Sequence, residues 1–112
     1  MPPLWTVEFS QKAATDFDNI IHNTLHKFGA LQATRYSQLI AKSLQELSVS
    51  GPHHPLVKNR PELFQGIQSM HIQRKGYKAR HILFFKTITK AHSRKIIILR
   101  LLHESMEFGA HL

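Results

Sequence analysis

Cysteine is absent from all 112 residues, which excludes disulfides and thiolate metal sites outright. No apolar run approaches the ~20 residues of a membrane span. The opening Met1-Pro2-Pro3-Leu4-Trp5 lacks the basic stretch and apolar segment of a secretory signal, so a reducing, cytoplasmic setting is expected. Acids are scarce: seven Asp and Glu stand against fifteen Lys and Arg. They are also scattered, so no carboxylate pair offers general acid and base chemistry. Gly66 and Gly76 stand alone, and no glycine-rich phosphate cradle can be built. Only Trp5, Tyr36 and Tyr77 add to the seven Phe, and no base-stacking sheet motif is visible. A plain nucleic-acid-binding module is therefore a weak third reading.

What is present is enough for one domain. A hydrophobic content of 42% excludes a disordered chain, and a domain of this size buries roughly 65% of its unfolded surface. The formal net charge of +8 attracts polyanions, whether nucleic acid or an acidic protein partner.

Trp5, Val7 and Phe9 alternate with Thr6 and Glu8, the pattern of a strand half-buried against a core. Ser10 is placed to cap a helix in which Ala13, Phe17, Ile20, Ile21, Thr24, Leu25 and Phe28 recur at three- and four-residue steps. Asp16 and Asp18 are expected on its outer side. Past Gly29, Tyr36, Leu39, Ile40, Ser43, Leu44 and Leu47 keep helical spacing again, and so short a link makes the two helices an antiparallel hairpin.

Gly51 to Pro61 reads as a basic, proline-stiffened loop. Adjacent residues rarely ligate one ion together, so His53-His54 reads as solvated rather than as a metal site. A strand is predicted over Leu63–Ile72, with Gly66 as a bulge. Arg74-Lys75-Gly76-Tyr77-Lys78 reads as a basic turn, Arg80–Lys86 as a strand and Thr87–Arg94 as a longer loop.

The last strand, Ile96 to Leu102, is apolar on both faces and about eight residues long, the signature of a central strand covered from both sides. Arg100 interrupts it on the face expected for Ile96, Ile98 and Leu102. Either its stem packs while its head reaches water, or it is a functional cation at the rim of the sheet. The fold class is α+β: an N-terminal strand, an αα hairpin, then three antiparallel strands in one sheet packed on the helices.

The words Ile98-Leu-Arg-Leu-Leu-His-Glu-Ser-Met-Glu-Phe108, with Phe28-Gly29, Ala33, Arg35-Tyr36, Pro61-Glu62-Leu63-Phe64 and Arg80–Phe85 in matching order, resemble the ParE-type toxins of the RelE/ParE superfamily. The resemblance covers roughly residues 4 to 112. It implies an αα hairpin packed on an antiparallel sheet and the toxin role in a type II toxin–antitoxin pair. It also implies poisoning of DNA gyrase by stabilising its cleaved-DNA complex, with no bond-breaking by the toxin itself. The implied partner is a cognate acidic antitoxin, forming a hetero-oligomer with the toxin; no cofactor, metal or membrane is called for. Two departures stand out. Gly66-Ile67-Gln68 replaces the Gly-Leu-Arg common in relatives, and the loops Gly51–Pro61 and Thr87–Arg94 are long.

Residue chemistry keeps one enzymatic alternative, a RelE-like mRNA interferase acting on the ribosome or on free RNA. Cleavage through the 2′-OH needs a base, an acid and cations for the phosphate. His81, His103, Arg80, Arg100 and Lys78 are the candidates, with Phe108 available to stack a base. For target recognition the candidates are Arg100, His103, Glu104, Met106, Glu107 and Phe108. They lie on a tail expected to be anchored at its start and free at its end. Antitoxin contact is assigned to Phe17, Arg35 and Tyr36 on the hairpin.

Overall fold

The computed structural model describes residues 4–74 and 77–112, without the side chains of 73, 74, 77 and 78. The centre of the expected basic turn, Lys75-Gly76, and the candidate side chain Lys78 lie outside the described residues.

The elements run β1 (Thr6–Phe9), α1 (Gln11–Phe28), α2 (Ala30–Ser50), β2 (Lys58–Asn59), β3 (Gln68–Arg74), β4 (Tyr77–Lys90) and β5 (Ser93–His103). They build an α+β fold with one sheet in the order β1-β5-β4-β3-β2. The sheet is mixed rather than purely antiparallel. β1 lies parallel to β5, with Val7 beside Ile96 and Phe9 beside Ile98, and the other pairings are antiparallel.

One face of the sheet receives the helices, which meet through the single residue Gly29. The main core there joins Ala13 of α1 and Ile40 and Leu47 of α2 to Met70, Ile72, Leu83, Phe85, Ile96, Ile98 and Leu101. Trp5 closes its end under Gly51. A Cβ at Gly51 would stand 2.3 Å from the indole nitrogen, and φ is +61° there, so both space and backbone demand glycine. The opposite face carries a smaller core of Ile67, Ile82, Phe84 and Leu102, covered by Leu63, Leu99, Phe108 and Leu112. β5 is thus interior and covered on both sides, as its apolar run predicts.

Several sequence expectations change, among them that Lys58–Asn59 of the expected loop and Arg74, Tyr77 and Lys78 of the expected turn belong to strands. Leu63–Ile67 is a turn, with Gly66 at φ +84°, and β3 begins only at Gln68. Thr87–Arg94 is not a loop: β4 runs to Lys90 and β5 starts at Ser93, turning through Ala91 at φ +46° and His92. The tail is not free. Phe108 packs against Phe84 with tilted rings whose centroids are 4.9 Å apart, Arg60 lies 5.6 Å over the Phe108 ring, and Leu112 returns to the smaller core. Finally, His54 is not solvated. It is 9% exposed, accepts the Leu56 N–H on Nδ1 (3.1 Å) and meets Glu46 through Nε2 (2.9 Å). Among the described residues, no helix is long and apolar enough to cross a membrane.

Candidate functional site

The helix–sheet contact opens into a cleft of about 910 Å³ between the hairpin and the ends of β4 and β5. His81 and His103 are direct partners across the β4–β5 ladder, on the face that receives the helices. Their rings meet edge to face at 5.2 Å. Tyr36, on the inner side of α2, bonds His81 Nδ1 through its hydroxyl at 2.5 Å. Arg80, Arg35 and Lys27 place cations on the walls, while Ile20, Phe28 and Leu39 supply apolar surface.

Burial, and then the neighbouring His103, push His81 down to about 4, so its imidazole is neutral at physiological pH. The Ser105 N–H donates to His103 Nδ1 (3.1 Å), which leaves the proton of that ring, when neutral, on Nε2. Glu104 accepts from Arg80 (2.9 Å) and lies 3.5 Å from His71; the Arg80 hydrogen bond holds its carboxyl below the usual range. The cleft therefore combines hydrogen-bonded polar groups, cations and an apolar wall, the make-up of a recognition site.

Arg100 is placed differently. β5 carries a bulge: Phe84 pairs with Arg100 but Phe85 pairs with Ile98, so Leu99 is an extra residue. The bulge moves Leu101 into the helix-side core and puts Arg100 opposite Phe84, not on the face of Ile96 and Ile98. The first turn of α1 grips it. Ser10 caps the helix by accepting the Ala13 N–H, and its hydroxyl donates to the Leu99 carbonyl (2.9 Å). Asp16 accepts from Arg100 Nε (2.7 Å), from Nη2 (2.9 Å) and from the Leu101 N–H (3.0 Å). Arg100 Nη1 then donates to the His111 carbonyl (2.9 Å). Its head is largely but not wholly covered: side-chain exposure is 18%, and 13% for Asp16. Asp16 thus lies on the inner side of α1, contrary to expectation, while Asp18 is exposed. The Asp16 hydrogen bonds raise Arg100 above its ordinary value.

This geometry sorts the candidates. His81, His103 and Arg80 come together in the cleft with Arg35 and Tyr36, and Arg100 is absent from its lining. Glu104, Met106 and Glu107 are exposed, whereas Phe108 is packed inward. Phe17 stands apart beside Phe9, with centroids 6.1 Å apart. Sequence reasoning missed Lys27 and the link from Tyr36 to His81. The arginine-tyrosine pair at 35 and 36 was the available signal, but nothing local announces a partner 45 residues away.

The family model described as the ParE toxin of the type II toxin–antitoxin system parDE matches residues 7–108. The chain belongs to the ParE toxin family. Solved structures agree on the fold. A chain of the chromosomal ParDE system of P. aeruginosa superposes with a TM-score of 0.68 at 21% identity, covering 88% of this chain and 95% of that one. The YoeB/ParE toxin from Agrobacterium tumefaciens gives 0.57 at 9% identity, covering 88% and 97%. No curated protein matches. In this ParE toxin the cleft holds a Tyr–His–His cluster with cations on its walls.

Proposed function

We propose that this ParE-type toxin poisons DNA gyrase by stabilising the cleaved-DNA complex and is neutralised by a cognate acidic antitoxin. The observation that carries the reading is the family match over residues 7–108, joined to the tail word His103-Glu-Ser-Met-Glu-Phe108. Glu104, Met106 and Glu107 are the exposed part of that word and the first candidates for target contact. The antitoxin site is proposed at the hairpin tip and cleft. Phe28 and Leu31 are 69% and 63% exposed there, beside Lys27 and Arg35, so an amphipathic acidic helix finds both its apolar and its charged contacts.

One observation favours a second reading, the mRNA interferase: Tyr36, His81, His103 and Arg80 share a cleft. Against it, a histidine near 4 is a weak base at neutral pH, and Phe108 is committed to the interior. The two readings separate in one pair of assays. With purified gyrase, ATP and supercoiled plasmid, the toxin should yield linear DNA after detergent and protease treatment, and messenger RNA should survive. Cut RNA together with undisturbed gyrase would overturn the assignment, and His103→Ala should then slow cutting by about a hundredfold or more.

A further inference from the structure

His22 and His26 lie one helical turn apart on the exposed side of α1, and their Nε2 atoms stand 3.1 Å from each other. The rings meet edge to face at 4.4 Å. Neither histidine belongs to the cleft lining, and the functional reading above uses neither. Two nitrogens bound to one metal at ~2.0–2.1 Å sit ~3 Å apart when cis at a right angle and ~3.4 Å apart in a tetrahedron. The observed separation falls between these. The one-turn spacing on the helix brings the two imidazole nitrogens to ligand spacing.

We propose that His22 and His26 form a two-histidine site for a divalent transition metal of the imidazole-preferring class, Zn2+ or Cu2+. Two histidines at i and i+4 on one helix face are the ligand geometry of the His-Glu-x-x-His zinc motif. Here the motif's glutamate position is Asn23, which cannot act as a general base, so the site binds and does not hydrolyse. Among the described residues no third histidine or carboxylate joins the pair. The remaining positions on the ion fall to water, leaving it open to a ligand from outside. In the metal-free neutral pair one ring donates its Nε2 proton to the other. Binding needs both Nε2 lone pairs, so the donor ring carries its proton on Nδ1 instead, and the charge of the chain rises by that of the ion.

The experiment is a calorimetric titration of chelator-stripped full-length protein with Zn2+, repeated with Cu2+. Proteins compared are the wild type, His22→Ala, His26→Ala, the double variant and His92→Ala, the last an exposed histidine on the β4–β5 turn. Because the second imidazole acts intramolecularly, losing either one should weaken binding by about 10²-fold or more. The wild type and His92→Ala should each bind one ion with the same affinity. All five proteins should keep the same circular dichroism, since both ligands are exposed. A wild type that binds no ion saturably, or a double variant that binds as the wild type does, would overturn the site.

Discussion

Asp16 is the residue on which most of the C-terminal third depends. It accepts two bonds from one guanidinium and one from the backbone of β5, and the same guanidinium holds the carbonyl of His111. Its place was open to sequence reading, being three residues after Ala13 and four before Ile20, on the buried stripe of α1. Its charge argued the other way, since an unpaired carboxylate on that stripe would be costly; the partner 84 residues off that resolves the conflict is invisible locally. Stripping a largely covered charge of its hydrogen-bonded partner is costly, so Asp16→Ala should cost about 2 kcal/mol in urea unfolding. Arg100→Ala should cost a similar amount, and the double variant less than their sum. Additive losses would mean that the pair is not coupled. His81 gives a pH signature. Its folded value near 4 lies below the ordinary 6.5, so between these values the unfolded chain binds the extra proton and stability falls as pH falls. Between pH 6.5 and 5, above most carboxylate titration, this histidine should account for about 1–2 kcal/mol, allowing for partial exposure. Melting curves of His81→Gln over that window should be flatter than those of the wild type, and parallel curves would refute the assignment.

At the scale of elements, the tail and the β5 bulge behave as one unit. Phe108 and Leu112 cover the smaller core while His111 is held by Arg100, so the tail closes the face that the helices leave bare. Phe108→Ala should destabilise by about 3 kcal/mol, near the low end for an aromatic because the ring keeps some exposure. Deleting residues 107–112 should cost more and lower the melting temperature, which makes loss of toxicity in that truncation uninformative about the target. Met106→Ala and Glu107→Ala change exposed side chains, should melt as the wild type does, and therefore test the proposed target contact without a stability effect. If the truncation melts unchanged, the tail is not part of the core. The helices and the apolar strand β5 were legible because burial and periodicity coincide in them. The outer ends of β4 and β5 were not: Thr89 and Lys90 pair with Arg94 and Ser93 beyond the main core, so backbone pairing makes the strand without an apolar signature. The turn between them uses Ala91 at positive φ, where no glycine announces it. Leu63 and Ile67 misled in the opposite sense, being apolar because a turn presses them onto the smaller core.

For the whole molecule the deciding quantity is the charge of +8 on a domain whose two most exposed large apolar residues among those described, Phe28 and Leu31, flank the hairpin turn. Long-range charge and short-range apolar contact act on different steps of binding. Charge guides encounter, raising association rates from a neutral ~10⁵–10⁶ toward ~10⁸–10⁹ M⁻¹s⁻¹ at low salt. The Debye length shrinks from ~10 Å at 0.1 M to ~3 Å at 1 M salt, so that guidance is lost as salt rises. Burial of Phe28 and Leu31 at the proposed antitoxin site would be insensitive to such screening and would set how long the partner stays. Association of the toxin with the proposed acidic antitoxin should therefore slow by about tenfold or more between 0.05 and 0.5 M salt, with dissociation little changed. Phe28→Ala should do the reverse, speeding dissociation and sparing the association rate. Stopped-flow kinetics with the purified antitoxin reads both rates in one series. An association rate indifferent to salt would mean that the positive charge serves some other anion, and a Phe28→Ala variant released no faster would move the antitoxin off the hairpin tip.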